Sequence, residues 1–139
     1  MALVKSIGNA PSLREEIALR DKAFAGDLVF VCDPATVTSD AITGAWTRTV
    51  VVYLKTAAGQ VHTWFNKAIT TGVSIGDASS AGTATIPSTT LTFTDGKASV
   101  VVTGSAHEWA AAETDTLTVA QATILGYTVA AKTSVETFE

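Results

Sequence analysis

Reactive side chains are scarce in this chain, and their spacing decides which chemistries are open to it. There are two histidines and one cysteine. His62 and His107 fall in different segments, and neither belongs to an H-x-x-x-H or Cys/His pairing of the kind that holds zinc. Serines and threonines abound, but no G-x-S-x-G elbow presents a nucleophile and no G-x-x-x-x-G-K loop cradles a phosphate. Cys32 ends an apolar run with no histidine beside it, which suits a small core residue better than a nucleophile. Asp77, Asp95, Glu113 and Asp115 lie in or near turns, where calcium-binding sandwich domains carry their carboxylates. No D-x-D-x-D loop accompanies them, and Asp95 is explained by the Asp-Gly turn it starts. The expectation is a protein that is not an enzyme and holds neither metal nor cofactor.

The tryptophans are more informative than the polar groups. Trp46, Trp64 and Trp109 are widely spaced. Strand alternation over Val61 to Phe65 puts Val61, Thr63 and Phe65 on one face and His62 and Trp64 on the other. With the Val61/Phe65 face inward, Trp64 points outward, and Trp46 follows Gly44-Ala45 in a loop. Both are candidate interface anchors, while one of the three tryptophans is expected to fill the core.

Two kinds of element position these residues. Ser12-Leu13-Arg14-Glu15 has the capping-box pattern after Pro11, and Leu13, Ile17, Ala18 and Phe24 recur at helical spacing up to Gly26. The reading is an N-terminal arm and amphipathic helix over residues 1–26, the helix running from Leu13 to Ala25. After Gly26 the period changes to two and Thr, Val and Ala take over, as half-buried strands require. Strands are expected over Asp27 to Cys32, Thr47 to Lys55, Val61 to Phe65, Ala68 to Ile75, Thr83 to Ile86, Thr89 to Thr94, Lys97 to Thr103, Thr116 to Ala120 and Tyr127 to Phe138. A two-residue turn at Asp95-Gly96 pairs Thr94 with Lys97 and Leu91 with Val100, placing Leu91, Phe93, Ala98, Val100 and Val102 on one face. The strand over Thr47 to Lys55 is apolar on both faces in its middle, which predicts a central position or cover by the helix. The fold class expected is all-β, an immunoglobulin-like β-sandwich over residues 27–139 with a short N-terminal α-helix.

The stretch Thr94-Asp95-Gly96-Lys97-Ala98-Ser99-Val100-Val101-Val102-Thr103 resembles the "DGKA-x-V-x-V" hairpin of bacterial immunoglobulin-like domains of the invasin and intimin type, which also occur in phage virion proteins. Trp109, the run Ala112 to Val119 and the segment Tyr127-Thr128-Val129 are similar to the last strands of that sandwich. The resemblance implies a structural protein of a virion, a capsid-decoration or tail-associated subunit made in the host cytoplasm without a secretion signal. Its partners would be other virion or assembly subunits, with a homo-oligomer expected. Leu3, Val4, Ile7, Leu13, Ile17, Trp46 and Trp64 are the candidate contact residues, and a sandwich edge joins them.

Composition narrows the partners further. The 139 residues suit one domain, and with 47% hydrophobic and 16% charged residues the chain can bury a core. A formal charge of −4, with no Lys/Arg cluster, argues against nucleic acid. No apolar run reaches the length of a membrane-spanning helix, so no membrane is expected either. A lone cysteine leaves no internal disulfide. Two other readings stand beside the virion one: a carbohydrate- or cell-surface-binding module with Trp46 and Trp64 as its glycan platform, and a subunit of a surface filament joined by strand donation.

Overall fold

In the computed structural model, residues 28–124 and 126–139 are described, and they form strands, turns and loops only. The helix-containing fold class is therefore corrected to all-β for the described residues. The expected helix over Leu13 to Ala25, and with it Leu3, Val4, Ile7, Leu13 and Ile17, lies outside them.

Two four-stranded sheets carry the core. In the first, β1 (Leu28–Asp33) pairs with β4 (Trp46–Thr56), β4 with β9 (Lys97–Gly104), and β9 with β7 (Ala84–Thr85). In the second, β2 (Thr36–Ser39) runs parallel to β14 (Lys132–Phe138), which pairs with β11 (Thr114–Val119), which pairs with β6 (Val73–Ala78). Alternation does the sorting. Leu28, Phe30 and Cys32 of β1, Val50, Val52 and Leu54 of β4 and Ala98, Val100 and Val102 of β9 face Leu117, Val119 and Phe138 of the second sheet, all buried in one cluster. β4 is central in its sheet as expected, and its Val51 and Tyr53 lie on the side away from the core.

Short pairs close the ends: β3 (Ile42–Thr43) with β10 (Glu108–Trp109), β5 (Ala68–Ile69) with β8 (Leu91–Thr92), and β12 (Ala122–Ile124) with β13 (Tyr127–Val129). They correct several expectations. Ala68 to Ile75 is two strands, because Thr71 at φ 54° and Gly72 turn the chain from β5 into the second sheet. Tyr127 to Phe138 is likewise split into β13 and β14. Val61 to Phe65 is no strand: Val61 makes a single bridge to Lys55, and the Phe65 N–H donates back to the His62 carbonyl at 3.0 Å. The Asp95-Gly96 turn has both φ values positive, 51° and 75°, and pairs Thr94 with Lys97 as expected. The ladder stops there. Phe93 donates instead to the Lys67 carbonyl at 2.8 Å and Leu91 pairs with Ile69, although Leu91, Phe93, Ala98, Val100 and Val102 all remain buried.

Two tryptophans seal one end of the sandwich. The Trp46 ring lies 5.2 Å from Trp109 and 5.5 Å from Phe138, and it rests on Gly104, where a Cβ would fall inside the indole. Gly104→Ala keeps the backbone conformation but forces the ring to move, so it should cost about 2 kcal/mol. Urea unfolding measures this, and a loss below about 0.5 kcal/mol, the scale of an ordinary surface substitution, would show that the ring does not need the space.

Candidate functional site

At the other end of β4 the chain builds a surface cleft. A turn over Thr56 to Gln60 reverses it, with Gly59 at φ 92°. His62 then donates its N–H to the Leu54 carbonyl at 2.9 Å, which fixes the returning segment against the sheet. The tight turn that follows drives His62 and Phe65 inward and leaves Trp64 on the surface, 38% exposed. Its orientation is set from three sides. Trp64 Nε1 donates to His62 Nδ1 at 2.9 Å, the ring stands nearly perpendicular to those of His62 and Phe65, and Asn66 Nδ2 donates to the Trp64 carbonyl at 3.0 Å. Facing it are Thr70, Thr71 and residues 120–124, and together they enclose a cleft of about 610 Å³. That lies within the range of small-molecule sites. Trp64 thus points outward as expected, but through a turn and not through strand alternation.

Trp46 is not its neighbour. Trp46 begins β4, Trp64 lies in the turn beyond its far end, and Trp46 is packed into the Trp109/Phe138 cluster. Trp46 and Trp64 form no shared platform. The histidines are also apart, His62 buried beside Trp64 and His107 exposed in the loop before β10. Cys32 is buried, and burial pushes its thiol above the ordinary cysteine range, which leaves it little thiolate.

The turn carboxylates hold loops together. Asp77 accepts from the Ala84 N–H at 3.1 Å. Glu113 accepts from the Ser80 N–H at 2.6 Å, the Ala110 N–H and the Ser80 hydroxyl at 2.8 Å, and the Ser79 hydroxyl at 2.9 Å. These donors, the two backbone N–H groups first, bring its carboxyl down to about 2. Among the described residues no group of three His, Cys, Asp or Glu is placed to hold a metal ion.

A charged cluster inside the sandwich escaped sequence reasoning. Arg48 of β4 reaches across to Asp115 of β11 at 2.5 Å and to Glu136 of β14 at 3.2 Å, and donates to the Ser134 hydroxyl at 2.8 Å. Glu136 also accepts from the Ser39 hydroxyl of β2, and Ser134 donates to the Pro34 carbonyl at 2.7 Å. Asp115 and Glu136 are directly opposite on adjacent strands, so one guanidinium serves two carboxyl groups. Burial outweighs Arg48 and raises the Asp115 carboxyl to about 6, and Glu136 adds to the rise. The cluster is enclosed, so it bears on stability and not on a substrate.

The solvent side of the first sheet carries apolar side chains among Thr47, Thr49, Lys55, Lys97, Ser99 and Thr103. Val29 and Val31 of β1, Val51 and Tyr53 of β4 and Val101 of β9 share it, with Val31 opposite Tyr53. Val29 is 39% and Val101 42% exposed, and Lys55 lays its ammonium 4.9 Å from the centre of the Tyr53 ring. Compared with known proteins, the chain matches no family model and no curated protein.

Proposed function

We propose that this chain is a non-enzymatic structural subunit, an immunoglobulin-type sandwich that joins a protein lattice as phage capsid-decoration subunits do. The strand order supports this reading. Taking β1, β4, β6, β7, β9, β11 and β14 as successive strands, the first, second, fifth and fourth share one sheet and the third, sixth and seventh the other, as in immunoglobulin constant domains, with β2 added parallel to β14 at the edge of the second sheet. The observation that carries the function is the apolar solvent face formed by Val29, Val31, Val51, Tyr53 and Val101. A sheet with one wet face ordinarily alternates apolar inside with polar outside, and apolar side chains on the wet side, here set among Thr49, Lys55, Lys97 and Ser99, are suited to burial against another protein surface.

The occupant of the face is a second copy of the chain. Light scattering after gel filtration should give a mass above that of the monomer, and Val101→Glu, which puts a charge in the patch and leaves the core untouched, should return the mass to the monomer's. A chain that stays monomeric at about 1 mM, where even a weak contact of millimolar Kd is substantially populated, overturns the reading. So does a Val101→Glu oligomer of unchanged mass.

A further inference from the structure

We infer that the Trp64 cleft binds a saccharide, with one sugar ring stacked on the Trp64 indole and its hydroxyl rim turned toward the wall made by residues 120–124. This does not depend on the assembly reading. A pyranose offers a flat C–H face and a rim of hydroxyls that both donate and accept, so its site needs an exposed, immobile aromatic face beside several uncharged polar groups. Trp64 meets the first need: its ring is part exposed, yet its Nε1, its peptide carbonyl and both flanking rings fix it. Thr70, Thr71, Gln121 and Thr123 meet the second, since their hydroxyls and amide supply donors and acceptors around the cleft. Asn66 is spent on positioning, donating to the Trp64 carbonyl and accepting from the Asp95 N–H at 2.8 Å.

The lining also argues against other ligands. It has no carboxylate and one cation, Lys67, so a cationic ligand would meet a single ring and a like charge. Polar side chains are too many for a lipid tail, and one lysine in a chain of net charge −4 is too little for a phosphate backbone. The volume of about 610 Å³ leaves room for a second sugar ring besides the stacked one. Lys67 favours saccharides that are neutral or carry a carboxylate over amino sugars.

The test is titration of the ¹⁵N-labelled full chain with a panel of neutral, uronic-acid and amino mono- and disaccharides, followed through the indole N–H resonances. The expected result is that at least one neutral or uronic-acid sugar shifts the Trp64 indole signal and leaves those of Trp46 and Trp109 in place. Trp64→Ala should weaken that binding by roughly tenfold or more, equivalent to about 1.4 kcal/mol, while Trp64→Phe, which keeps a ring, retains most of it. Gln121→Ala touches only the opposite wall, so it covers the case in which Trp64→Ala fails to fold, and it should weaken binding several-fold. Silence of the Trp64 signal with every sugar at about 10 mM, well above a millimolar Kd, overturns the inference. So does binding that Gln121→Ala and Trp64→Phe leave unchanged and Trp64→Ala does not weaken, or binding by amino sugars alone.

Discussion

Arg48→Met should destabilise the fold by roughly 3–5 kcal/mol at pH 7.5, the cost of removing one partner of a buried ion pair. The loss is not that of the attraction itself. Arg48 is the cation between two buried carboxyl groups, Asp115 and Glu136, that face each other across β11 and β14. Without it both are left in a low-dielectric layer, and the Ser134 hydroxyl and carbonyl lose the guanidinium that donates to them. Acid should restore part of the loss, because each carboxyl can then be buried neutral. Urea unfolding of the variant and the parent at pH 7.5 and 4.5 should therefore give a difference that shrinks at the lower pH, with unchanged slopes. A loss of the same size at both values would mean that the charges are not its cause. Replacing the whole trio by apolar residues of similar volume should be far milder than removing Arg48 alone, since no charge is stranded.

That cluster also marks how far sequence reading reached. Alternation identified the core because period two is a local property: Val50, Val52 and Leu54, or Val100 and Val102, announce their face without reference to any other strand. The same count puts Arg48 in line with Val50, Asp115 with Leu117, and Glu136 with Phe138. Three strands each carried a polar residue on the inward face, and that was a readable signal. Which of them would meet was not readable, because the meeting depends on β4 lying in one sheet and β11 and β14 in the other. The partner of a strand is a long-range fact, as the Asp95-Gly96 turn illustrates. Its chemistry set the turn and the first pair correctly, yet the next residues went to β5, where Lys67 and Ile69 offered the backbone groups. Trp64 was placed outward for a reason that failed, the alternation of a strand that is a turn. Its cleft was not legible at all, since residues 120–124, far along the chain, form the other wall. The expected N-terminal helix rested on a capping box and helical spacing, and it lies outside the described residues.

Stability should fall as pH rises from about 4 through 6, the reverse of what a paired surface carboxylate produces. The sign follows from Asp115, whose carboxyl is raised to about 6 in the fold against an ordinary value of 3.8. Between those values the folded chain binds the proton that the unfolded chain has released, so every step up in pH favours unfolding. The contribution is complete below about 4 and gone above about 6. Glu113 works in the opposite direction, for its carboxyl is lowered from 4.5 to about 2 by the N–H groups of Ser80 and Ala110. Its contribution is present above 4.5 and disappears as pH falls toward 2. The two act on opposite sides of about pH 4.5, Glu113 losing its anion below it and Asp115 its proton above it. Asp115→Asn isolates the second limb. It retains an acceptor for Arg48, presents an amide that can donate to the facing Glu136, and leaves one cation with one anion in the layer. Its unfolding free energy should therefore be nearly flat between pH 4.5 and 6, where that of the parent declines. Glu136 adds to the rise of the Asp115 carboxyl, so Glu136→Gln should lessen the same decline. If Asp115→Asn kept the parent's decline, the proton would have to reside elsewhere, and the interior charge balance argued from Arg48, Asp115 and Glu136 would be wrong.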